Sequence, residues 1–66
     1  MTINTTIIKL LLAEQGATQA ELASKIGLSR QSVSTILMRG TASPKNVGKL
    51  AVGLGVKPKD IIDERR

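Results

Sequence analysis

Three residues, Gly27-Leu28-Ser29, separate two stretches of helical periodicity, and this short break constrains the fold more than any other feature of the chain. Before it, Leu22, Ala23 and Ile26 share one helix face. After it, Val33, Ile36 and Leu37 recur at i, i+3 and i+4 and must face inward. A connection this short, with a glycine in it, makes the two axes cross steeply. The second helix of such a pair projects its outer face clear of the domain. Ser29 is a good N-cap, and Leu28 before it can pack as a hydrophobic staple. On the second helix Arg30, Gln31, Ser34 and Thr35 are left on the outer side, with Ser32 at the margin.

The same punctuation repeats along the chain and predicts five short helices, at about 5–15, 19–26, 30–39, 44–54 and 58–62. Asn4 caps the first, whose apolar stripe is Ile7, Ile8, Leu11 and Leu12, widened by Leu10. Thr18-Gln19-Ala20-Glu21 is a capping box, the strongest start signal in the sequence. Ser43-Pro44 places an N-cap before a proline at the first helical position. Val47, Leu50, Ala51 and Leu54 then form a core face. Gly48 and Gly53 interrupt that helix at a cost of roughly 1 kcal/mol each against alanine, which points to close helix approach. A last turn begins at Pro58 and returns Ile61 and Ile62 to the core, while Asp63-Glu64-Arg65-Arg66 is expected to fray. Strand alternation is absent, apart from a short extended start at Thr2-Ile3. The expected fold is a compact all-α domain spanning 1–66, with no second domain to act as a sensor.

Composition removes several classes of function. The chain has no Cys and no His, so disulfides, most zinc sites, thiol catalysis and imidazole acid–base chemistry are excluded. Five scattered carboxylates and no Gly-rich phosphate loop offer no catalytic constellation, so no enzyme, catalytic residue, metal or cofactor is expected. With no Phe, Tyr or Trp, stacking on unpaired bases is disfavoured. The apolar run Ile7–Ala13 is interrupted by Lys9 and falls far short of the roughly 20 residues of a spanning helix. No basic start or cleavage site marks a signal peptide, so the chain reads as cytoplasmic.

Charge is distributed unevenly. The net charge is +5, and no acidic residue lies between Glu21 and Asp60. That stretch carries Lys25, Arg30, Arg39, Lys45, Lys49, Lys57 and Lys59. The excess surrounds the projecting helix and can neutralise phosphates on both sides of it. An α-helix with its side chains fits the roughly 12 Å major groove of B-DNA. Arg can bind guanine O6 and N7, and Gln can bind adenine N6 and N7, each in bidentate fashion. Ser and Thr add short hydrogen bonds or a methyl contact to thymine. The bland alternative for each is solvation of a small basic domain. Here the charge coincides with the projecting helix. A basic membrane-active peptide fits less well, because Gly and Pro break its polar faces.

The segments Thr18-Gln19-Ala20-Glu21-Leu22-Ala23, Ile26-Gly27-Leu28-Ser29 and Gln31-Ser32-Val33-Ser34 together resemble the helix-turn-helix of phage Cro and repressor-type regulators, the XRE family. The similarity runs on through Leu50-Ala51, Leu54-Gly55-Val56 and Ile61-Ile62. The resemblance implies a five-helix, lambda-repressor-like DNA-binding domain with its helix-turn-helix at 18–38. It also implies a two-fold homodimer on palindromic operator DNA in a bacterial or phage-infected cell, associated with the nucleoid.

Carried over by position, Gln19 would contact phosphate and brace the start of the third helix. Arg30, Gln31, Ser34 and Thr35 would face bases, flanked by Ser29 and Ser32. Arg39 and Lys45 would hold the backbone. Two departures stand out: Leu37-Met38-Arg39 occupies the place of a common acidic residue, and Gly40 arrives one residue late, which implies a longer third helix and a tighter loop. Surplus apolar surface at Met38 and on the first helix is expected to be covered in the dimer. The expected function is a sequence-specific double-stranded DNA-binding repressor with no small-molecule ligand. The alternative is an antitoxin-type protein-binding module that also regulates its own operon.

Overall fold

The computed structural model describes residues 1–63. It contains four α-helices: α1 (Thr5–Gln15), α2 (Gln19–Ile26), α3 (Arg30–Arg39) and α4 (Pro44–Leu54). Each starts on a polar side chain that accepts a backbone N–H of the first turn. Asn4 Oδ1 accepts from Ile7 N, Thr18 Oγ1 from Glu21 N, Ser29 Oγ from Ser32 N and Ser43 Oγ from Asn46 N, at 3.0–3.3 Å. These bonds satisfy donors that a helix cannot satisfy internally. At α2 the box closes, because Thr18 N also donates to Glu21 Oε1 at 2.8 Å.

A fifth helix over 58–62 does not form. The segment is a single 3-10 turn, Pro58–Asp60, in which Lys57 N donates to Asp60 Oδ2. The reason lies in the chain termini. Ile61 is fully buried, and its carbonyl accepts from Asn4 N at 2.7 Å, while Asp63 N donates to Thr2 O at 2.9 Å. The backbone groups that would continue the helix are used to pair with the start of the chain. Ile3 and Ile62 form an antiparallel bridge, and Thr2 bridges Thr41 on the other side. The extended start at Thr2-Ile3 therefore joins the α3–α4 loop to the end of the fold. Asp63, expected to fray, is held by this pairing. The remaining residues of that expectation, 64–66, lie outside the described ones.

The core gathers around α4. Val47, Leu50, Ala51 and Leu54 are buried against Ile8 and Leu12 of α1, Leu22 and Ala23 of α2, Val33, Ile36 and Leu37 of α3, and Ile3 and Ile61. No polar or charged residue is buried among the described residues. The α1 stripe is narrower than its periodicity suggests. Ile8 and Leu12 face the core, Leu11 is half-buried, and Ile7 and Leu10 are exposed. Gln15 Nε2 closes the far end by donating to the Leu54 carbonyl at 2.8 Å. Among the described residues, no helix is long and apolar enough to cross a membrane.

The two interior glycines of α4 differ. Gly53 lies where α4 crosses α2, and a Cβ there would collide with Ile26 and meet Leu22 Cδ1 at 2.8 Å. Gly48 faces open space, with nothing within 4 Å of the same position. Close approach explains the first and not the second. We predict opposite signs for one substitution. Gly53→Ala should destabilise by about 1–3 kcal/mol through overpacking. Gly48→Ala should stabilise by about 1 kcal/mol through helix propensity. Urea denaturation of both variants checks this, and a shared sign would contradict the packing described.

Candidate nucleic-acid interface

The placement of α3 begins at Gly27. Its φ of 76° is left-handed, and Leu28 N donates to Ala23 O at 2.9 Å, which ends α2 abruptly. Leu28 packs partly into the core, and Ser29 starts α3 immediately. Ser29 Oγ also donates to Ser32 Oγ at 2.9 Å, fixing both hydroxyls at the head of the helix. With Val33, Ile36 and Leu37 turned inward, the opposite side of α3 is free.

At 100° per residue, Gln31, Thr35 and Arg39 form a stripe roughly opposite Val33. Gln31, Ser32 and Arg39 are exposed on this outer side with Met38, which is 83% exposed. Arg30 is exposed too, but it lies about 60° from Val33, beside the inward stripe and not on the outer one as the sequence suggested. Ser29, Gln31, Ser32 and Thr35 line one open depression of about 370 Å³ with Asn46 of α4. Thr35 and Arg39 line the next, of about 350 Å³, again with Asn46 and with Ser43. The outer face of α3 and the start of α4 thus make one continuous surface.

Four further placements differ from those the sequence suggests. Ser34 is half-buried, because it lies about a quarter-turn from Val33 and beside Leu37, at the edge of the inward stripe. Thr35 points outward but is half-buried, since the start of α4 adjoins it. Ser32, expected at the margin, is exposed. Gln19, the first residue of α2, is half-buried rather than freely exposed. Gln19, Arg30, Ser34 and Lys45 line neither of the two depressions.

Asn46 was not anticipated, although it belongs to both depressions. Its place in α4 was legible, but not the helix beside it. It is the third residue of a helix whose start Ser43-Pro44 marks, so its backbone N–H is held by Ser43 Oγ at 3.3 Å and its side chain is set beside α3. Among the described residues, no three His, Cys, Asp or Glu side chains gather to hold a metal ion.

The electrostatics of this surface run against the stability of its helices. Aligned peptide dipoles make a helix N-terminus positive and favour an acidic residue in the first turn. α3 and α4 have none there and carry Arg30 and Lys45 instead. Dipole and side chain therefore add to a positive potential at two adjacent helix starts. We predict that Arg30→Glu and Lys45→Glu each raise folding stability by about 0.3–1 kcal/mol at low ionic strength. Thermal denaturation in low and high salt checks this; a loss of stability would contradict the assignment.

Comparison with known proteins agrees with this geometry. The helix-turn-helix family profile matches residues 8–61, a span that includes α2, the Gly27 turn, α3 and α4. No individual curated protein matches the chain. Because the match covers most of the sequence, the chain belongs to the helix-turn-helix family of Cro and repressor type, the XRE family, whose members are DNA-binding transcription regulators.

Proposed function

We propose that this regulator is a Cro-like repressor. It binds a palindromic operator in double-stranded DNA as a homodimer, with α3 of each subunit in the major groove. The observation that carries this reading is the outward surface of α3, where Gln31, Ser32, Thr35 and Arg39 are gathered beside Asn46. No acidic residue occurs between Glu21 and Asp60 to repel phosphate there.

Roles follow from position. Arg30 and Gln31, exposed on the first turn of α3, make bidentate contacts to base edges. Thr35, one turn on, makes a short hydrogen bond or meets a thymine methyl, and Ser34 supports it from the flank. Gln19, Lys45 and Arg39 hold phosphates on either side, and Ser32 and Asn46 add polar contacts between. Ser29 acts first as the cap that aims the helix. Ile7 and Leu10 of α1 supply apolar surface for a second subunit, whereas Met38 shares the outer side of α3 with Gln31 and is not part of that surface. Two-fold symmetry then places half-sites about one helical turn, roughly 34 Å, apart. This activity belongs in the cytoplasm, at the nucleoid.

Selection of bound duplexes from a random pool, followed by stoichiometry on the winner, tests the reading. A palindrome holding two chains is expected, and a winner without symmetry bound by one chain would refute the dimer. On that operator, Arg30→Ala or Gln31→Ala should weaken binding by roughly 1–3 kcal/mol and relax specificity at one position each. Equal losses on operator and random DNA would refute base reading. Lys45→Ala should weaken all duplexes alike and lower the salt slope by about one unit. An unchanged slope would remove the phosphate contact.

A further inference from the structure

A second surface lies away from α3. A groove of about 440 Å³ runs between the end of α2 and the middle of α4, lined by Lys25, Ile26, Gly48, Lys49, Val52 and Gly53. It shares no residue with the two depressions along α3. Its floor is apolar: Val52 is 80% exposed, and Ile26 is only half-covered. Gly48 precedes Val52 by one turn on the same face of α4 and opens the floor further.

Glycine in a helix interior is unfavourable. Gly53 has an internal reason, the passage of Ile26 and Leu22, and Gly48 has no neighbour that requires it. What Gly48 provides is space between Ile26 and Val52 for a side chain from outside. The rim decides which kind of partner carries that side chain. Lys25 and Lys49 flank the opening; Glu21, one turn before Lys25, is held on the Thr18 amide and is not part of the lining. A second copy docked through the same face would bring two pairs of lysines together. A phosphate backbone would match the lysines and leave the apolar floor unfilled. A peptide with carboxylates beside an aliphatic side chain matches both.

We propose that the α2–α4 groove is a docking site for an acidic segment of another protein. The segment lays an aliphatic side chain over Gly48, between Ile26 and Val52, and sets carboxylates against Lys25 and Lys49. Helix-in-groove recognition takes this form, with an apolar anchor giving affinity and rim charges giving specificity. The site does not depend on what α3 binds, because the two surfaces have no residue in common.

The test titrates the isotope-labelled full chain with a designed helical peptide of about 15 residues, bearing two leucines at i and i+4 flanked by glutamates. A control peptide carries lysine in place of glutamate. The acidic peptide should shift the amide signals of Ile26, Gly48, Lys49 and Val52 and leave those of Gln31 and Thr35 unmoved. The control should bind at least about tenfold more weakly. Gly48→Leu, which enters open space, should keep the native spectrum and lose at least about tenfold in affinity. Combined Lys25→Glu and Lys49→Glu, which leaves the floor intact, should reverse the preference between the peptides. Absence of shifts in the groove, or equal binding of both peptides, would overturn the proposal. So would loss of self-association in Gly48→Leu, which would assign the face to a second copy. A lower DNA salt slope in the double variant would assign it to nucleic acid.

Discussion

The left-handed turn at Gly27 sets the direction in which α3 leaves α2. The Leu28 amide locks it onto Ala23, and Ser29 begins the next helix without a residue to spare. Leu28 on one side and Val33, Ile36 and Leu37 on the other fix the roll of α3 about its axis. Once that roll is set, Gln31, Thr35 and Arg39 have no side to occupy except the outer one. The extended start of the chain completes the arrangement. By pairing with Thr41 and Ile62, it ties the α3–α4 loop to the end of the fold and so sets α4 beside α3. Asn46 joins the α3 surface as a result.

Several features of the chain are poor choices for stability alone, and all are on the surface. Cations occupy the first turns of α3 and α4, where the helix dipole favours anions. Gly48 leaves a helix interior unfilled, while Val52 stands in water one turn away. The core shows no such concession: every buried residue is apolar, and no buried side-chain polar atom of the described residues lacks a partner. Local choices that conflict with the fold at a surface, in a molecule consistent within, mark places shaped by binding.

Much of this was legible in the sequence because helix starts are written in local chemistry. Asn4, Thr18, Ser29 and Ser43 each act on a residue three positions ahead, so their meaning needs no knowledge of the rest of the chain. The core face of α4 was equally plain, since four apolar positions at helical spacing admit one orientation. What failed was non-local. The last helix was lost because Ile61 and Asp63 pair with residues at the other end of the chain, which no window around Pro58 could reveal. Ile7 read as core on periodicity, but α1 buries Ile8 and Leu12, packs Leu11 partly against them and leaves Ile7 exposed beside Leu10. Asn46 and the contrast between Gly48 and Gly53 depend on which helix lies opposite, and α4 alone does not say.

In the proposed complex the outer stripe of α3 enters the major groove. Intermolecular nuclear Overhauser contacts between the chain and its selected duplex test it most directly. Contacts are expected from the Gln31 and Thr35 side chains to cytosine H5 and thymine methyl protons, which lie in the major groove. Contacts from those side chains to sugar protons of the minor groove, or contacts to the duplex made by α1 in their place, would contradict it.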